Sequence, residues 1–133
     1  MPHHVRLSPD GPIIHLTASG PFDFEATRPV FSDVERMMQG SPEAAILVDV
    51  REIEYTPSVT DVKHFVARHV EMTRVWRNPF ALVAARGVNF GMAMMMCTLI
   101  EVSGGRSQAF TDREEAENWL LNALQQRSSS PSS

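Results

Sequence analysis

The chain has 133 residues, 43% hydrophobic and 21% charged, the length and composition of one ordinary globular domain. Its 12 Lys plus Arg against 16 Asp plus Glu give a formal net charge of −4, and no basic run exceeds two residues, which argues against nucleic-acid binding. Cys97, the only cysteine, excludes an intramolecular disulfide and a four-thiolate zinc site, and Met1-Pro2-His3-His4 carries no signal-peptide apolar region, so a reducing cytoplasm is the expected compartment.

Val5 to Ser8 and Ile13 to Ser19 are β-favouring runs separated by Pro9-Asp10-Gly11-Pro12, which predicts an opening hairpin. Val30, Phe31, Val34, Met37 and Met38 recur at helical spacing ahead of Gly40, predicting a first helix over residues 24–39 with Pro29 near its first turn. Ala45 to Val50 is an apolar run suited to a strand buried on both faces, and a helix follows from Ser58. Phe80 to Ala85 predicts another such strand. Gly87 and Gly91 then flank the start of a third helix that ends near Gly104-Gly105. Its apolar stretch, Phe90 to Ile100, is well short of the roughly 20 residues needed to span a bilayer. Ser107 to Phe110 supplies one more strand. Overlapping N-cap patterns at Thr111/Glu114 and Asp112/Glu115 precede a last helix marked by Ala116, Trp119, Leu120, Ala123 and Leu124.

The order ββαβαβαβα predicts an α/β fold, a mixed, mostly parallel sheet of four or five strands with right-handed crossovers, four helices and an antiparallel hairpin edge. Residues 1–126 are expected to form a single domain, and the Ser/Pro-rich 127–133 a disordered tail.

At Ile46-Leu47-Val48-Asp49-Val50 and Ile53-Glu54-Tyr55-Thr56-Pro57-Ser58 the chain resembles the STAS domain, the fold of bacterial anti-sigma-factor antagonists. The shared features are an apolar strand ending in an acidic residue, a loop with an apolar-aromatic step, and a serine opening the next helix. The segment from Phe110 to Leu120, with Phe90-Gly91-Met92-Ala93, is similar to the STAS-like subgroup related to CRAL-TRIO lipid-carrier domains. The resemblance covers about residues 5–124 and implies a regulatory module or a carrier of an apolar molecule. It also implies phosphorylation at Ser58, the positional match to the serine that a partner kinase modifies. Here the flanking residues are Pro57 and Val59, where the family has Asp before and Ser-Gly after.

The residues themselves offer plainer readings. Ser58 is placed to cap its helix, with Asp61 three residues on to reciprocate. His64 and His69 are five residues apart and so do not share a helix face as a metal pair would; His69, beside Val62, Phe65, Val66 and Thr73, reads as a packed histidine satisfied by one hydrogen bond. Asp49, Glu52, Glu54 and Asp61 crowd one predicted strand end, where ligands bind in open α/β sheets, yet helix caps and solvated loop charges account for them. Gly87-Val88-Asn89-Phe90-Gly91 matches neither glycine-rich phosphate-binding pattern. Arg86 at a strand end reads as an ion-pair partner, and Cys97 on an apolar helix as a buried thiol. No metal site, cofactor or catalytic constellation is expected.

The third helix is the anomaly. Phe90, Ala93, Met94, Cys97 and Ile100 form the apolar face that a sheet requires, while Met92, Met95, Met96 and Leu99 occupy much of the remaining circumference. Phe90, Met92, Met95, Met96 and Leu99 are therefore the candidates for an interface or an apolar-ligand site, unless neighbouring helices cover them. The sequence points first to a noncatalytic STAS-like regulatory or protein-interaction module that self-associates, as a homodimer, through this helix. The alternatives are a carrier of a lipid or other small apolar ligand, and a phosphorylation-switched anti-sigma-factor antagonist.

Overall fold

The computed structural model describes residues 3–8 and 12–129. Strands β1 (His3–Leu7) and β2 (Ile13–Pro21) are followed by α1 (Thr27–Gly40), β3 (Ala45–Glu54), α2 (Val59–Met72), β4 (Phe80–Val83), α3 (Val88–Val102), β5 (Ser107–Phe110) and α4 (Arg113–Ser129). β1 runs antiparallel to β2 from His3↔Ala18 to Leu7↔Ile14, and the Ser8 N–H donates to the Ile13 carbonyl at 2.8 Å to close the ladder. Residues 9–11 of the expected turn lie outside the described residues.

The sheet order is β1-β2-β3-β4-β5, with β2 to β5 all parallel. When parallel strands are laid down in chain order, right-handed crossovers must all pass over the same face. Thus α1, α2 and α3 share one side of the sheet and α4 returns across the other. Side-chain alternation divides the core accordingly. Ile14, Leu16, Ala18, Ile46, Phe80 and Leu82 pack with the three crossover helices, whereas Ile13, Ala45, Leu47, Ala81 and Val83 meet Ala116 and Leu120 of α4.

Several boundaries differ from the sequence reading: β1 is His3–Leu7 rather than Val5 to Ser8, β2 runs to Pro21 rather than Ser19, β4 stops at Val83 rather than Ala85, and three more have a visible cause. α1 begins at Thr27 rather than 24, because residues 23–26 form a turn held by the Asp23 carboxylate, which accepts the Ala26 N–H at 2.8 Å. β3 continues past Val50 to Glu54: its pairing with β4 ends at Asp49↔Val83, but β2 still offers partners from Ser19↔Glu52 to Pro21↔Glu54. α4 extends to Ser129, three residues into the expected tail, and the Arg127 guanidinium donates to the carbonyls of Trp76, at 3.2 Å, and Glu43. Residues 130–133 lie outside the described residues.

Candidate functional site

The three crossover helices do not fill the sheet face that they cover. Between Val30, Phe31 and Val34 of α1, Val62, Phe65 and His69 of α2, Met92, Ala93 and Met96 of α3 and the strands beneath them lies a cavity of about 150 Å³. Aromatic rings meet above it between α2 and the α1 segment. Phe24 stacks on Phe65 at 5.7 Å, Phe31 tilts against Phe65 at 6.0 Å, and Arg68 lies over the Phe31 ring while pairing with Glu35.

The cavity runs the length of the strands. At the amino end of β4, His69 and Phe80 are 2% and 4% exposed, with their rings 4.6 Å apart. At the carboxyl ends of the strands, the lining residues Tyr55, Pro57 and Asn89 are half-buried, as are Val30, Phe31 and Phe65 between α1 and α2. The carboxyl end is the one at which open parallel sheets take ligands. Among the described residues no Lys, Arg, Asp or Glu lines the cavity, and the polar side chains that do are Thr27, Tyr55, His69 and Asn89.

Most polar groups at this end are already engaged. The Tyr55 hydroxyl donates to Asp61 Oδ2 at 2.7 Å; burial, with that contact, pushes the phenol well above its ordinary value. Asn89 Nδ2 donates to the Tyr55 carbonyl at 3.2 Å, and Thr56 Oγ1 donates to Asn89 Oδ1 at 2.8 Å. His69 is different. Its Nε2 is buried without a hydrogen-bond partner among the described residues, and burial pushes the imidazole down to about 4, so the ring is neutral at physiological pH. The expected hydrogen bond is therefore missing at this nitrogen.

The α3 candidates divide between the cavity and the packed core. Met92 and Met96 line the cavity, Met95 and Leu99 pack on the buried cluster, and Phe90 is half-buried. Leu99 also borders a shallow groove against Val66, Ala67 and Val70 of α2. The buried line of the helix is Ala93, Met96, Cys97 and Ile100. Met94, assigned to the core face from sequence, is 52% exposed because it sits about 100° around the helix from Ala93. Val88 and Val102 are also exposed, interleaved with exposed Gly91, Thr98 and Glu101.

Ser58 is the N-cap of α2. Its Oγ accepts the Asp61 N–H at 3.0 Å and Asp61 Oδ2 accepts the Ser58 N–H at 3.1 Å, a full capping box. The four carboxylates near this strand end do not converge. Asp61 serves the cap, Glu52 and Glu54 are exposed, and Asp49 is buried on the α4 side. There Asp49 Oδ2 accepts from Arg51 Nη2 at 2.8 Å and from Arg113 Nη1 at 3.2 Å, while Arg113 Nη2 lies 2.9 Å from His15 Nδ1. Burial alone would raise the Asp49 carboxyl, but the Arg51 hydrogen bonds and the two guanidinium charges hold it below its ordinary value. Burial, with Arg6 and Arg113, lowers His15 in turn. Arg113 lies 98 residues from His15, so no local pattern announces this network.

Cys97 is buried, which pushes its thiol up to about 11. Among the described residues, no group of three or more His, Cys, Asp or Glu is arranged to hold a metal ion, and no helix is long and apolar enough to cross a membrane.

The search of solved structures supplies the comparison that decides the fold. A crystal structure of an uncharacterized DUF3478-family protein from Shewanella loihica PV-4, described as having a SpoIIAA-like fold, superposes with a TM-score of 0.53 over 90% of this chain and 92% of that one. The fold is SpoIIAA-like. At 18% identity the likeness is one of architecture, and it agrees with the STAS-like order ββαβαβαβα read from the sequence. No family model matches the chain, and the search of curated proteins gives no match. Within the SpoIIAA-like fold, the cavity belongs to the face covered by the crossover helices, and the Asp49–Arg113–His15 network to the face covered by α4.

Proposed function

We propose that this chain is a noncatalytic SpoIIAA-like binding module that takes up a small, largely apolar molecule between its sheet and the crossover helices. The cavity carries this reading: about 150 Å³, free of charged side chains among the described residues, and reaching Tyr55, Pro57 and Asn89 at the carboxyl ends of the strands. An apolar cavity of roughly that volume is large enough to bind benzene in an engineered protein. The methionines of α3 fit the role, since Met92 and Met96 present flexible, polarizable side chains to the cavity and adjust to a guest's shape. Thermal unfolding with increasing toluene tests the proposal. A ligand that binds only the folded chain raises the melting temperature with concentration. A melting temperature unmoved up to the solubility of toluene refutes it.

Self-association through α3 draws on another surface, the outer face carrying Val88, Met94 and Val102. With Gly91, Thr98 and Glu101 exposed between them, these residues make a less continuous apolar patch than the cavity wall. A phosphate on Ser58 would displace a filled cap and stand against the Asp61 carboxylate, an unfavourable pairing of like charges.

A further inference from the structure

The cavity is not uniformly indifferent to what enters it. His69 is 2% exposed, lines the cavity beside Phe80, and has no hydrogen-bond partner at Nε2 among the described residues. A polar atom left so is costly, and a guest that meets it recovers a hydrogen bond that water makes in the unfolded chain. Charged guests are disfavoured: among the described residues no Lys, Arg, Asp or Glu lines the walls, so an ion would be buried without a counter-charge. A hydroxyl suits the imidazole in either tautomer, since it both donates and accepts. The volume limits the apolar part to about the size of one aromatic ring.

We infer that the ligand class of this cavity is an uncharged, ring-sized molecule bearing one hydroxyl, bound with the hydroxyl against His69 Nε2 and its apolar body between Leu82, Val48 and Met96. The inference rests on the cavity reading above and narrows it. Phenol and toluene are near-isosteric probes that differ in the one group concerned. Titrating the intact chain and its His69→Leu variant with both should show phenol binding weakened roughly fivefold by the substitution, with toluene binding held or improved. A second measurement does not depend on how the variant folds: in the unmodified protein, the ¹⁵N resonance of His69 Nε2 should move on adding phenol and hold still on adding toluene. If both probes bind but the substitution affects them alike, or Nε2 is unmoved by phenol, the His69 contact is overturned while the cavity reading stands. Failure of both probes to bind overturns the cavity reading, and this inference with it.

Discussion

Lowering the pH should expose the energetic cost of His69. In the folded chain, burial alone holds the imidazole near 4, whereas in the unfolded chain it takes up a proton at about 6.5. Unfolding therefore binds a proton between those values, and stability rises with pH across that window. The contribution is present in full above about pH 6.5 and is lost progressively as the pH falls toward about 4, reaching on the order of 3 kcal/mol. At about pH 5 the loss should already be about 2 kcal/mol, a large share of a small domain's stability. His15 is also lowered and contributes in the same direction, so the informative quantity is a difference. Urea unfolding of the natural chain and of His69→Leu at about pH 7.5 and about pH 5 should show the natural chain losing about 2 kcal/mol more than the variant. Asp33, Asp49 and Asp61 are held below the ordinary carboxylate value and so act at lower pH, outside this comparison. Parallel pH dependence in the two proteins would refute the argument that His69 is buried as a neutral base.

Ser58→Ala removes the acceptor for the Asp61 N–H and should cost about 1 kcal/mol in thermal or urea unfolding without changing toluene binding. Asp49→Asn leaves Arg51 and Arg113 without their shared carboxylate and should cost roughly 3 kcal/mol, read from the urea midpoint. Gly105→Ala would put a Cβ 2.7 Å from Ile100 Cγ2, inside a fully buried side chain, so a loss of about 1–3 kcal/mol is expected by calorimetry. Ala18→Val adds methyl groups at a 2% exposed wall of the cavity; it should raise the melting temperature while weakening toluene binding.

The architecture was legible because it is written in local patterns. Turn residues between Ser8 and Ile13, the apolar run from Ala45, and the Ser58–Asp61 spacing each specify structure within a few residues, and the chain order of strands then fixes which face the crossovers take. The α3 excess of methionine was equally visible, but hydrophobicity around a helix does not reveal what covers it. Part of the answer is α2 and part is the cavity, and both are built by residues distant from α3 in the chain, such as Phe31 and Phe65. The Arg113 network was invisible for a related reason. It joins β2, β3 and α4 through residues with no sequence spacing in common.

The two sheet faces resolve the same packing problem differently. On the α4 side, Ala45, Ala81 and Ala116 allow close approach, and the space beyond the apolar core is occupied by Asp49, Arg113 and His15, whose ion pairs and hydrogen bonds have directional requirements. Such a network ties β2, β3 and α4 together, since displacing α4 takes Arg113 away from buried Asp49 and from the His15 and Thr17 side chains of β2. On the other side, contacts are dispersion between apolar side chains, which constrain position less sharply and tolerate a void of about 150 Å³. β3, which floors the cavity through Ile46, Val48 and Val50, is tied from the opposite face by the Asp49–Arg113 pair. The cavity would then be a property of the whole fold, and substitutions in the Asp49 network, remote from any guest, should alter affinity for toluene through the position of β3 beneath it.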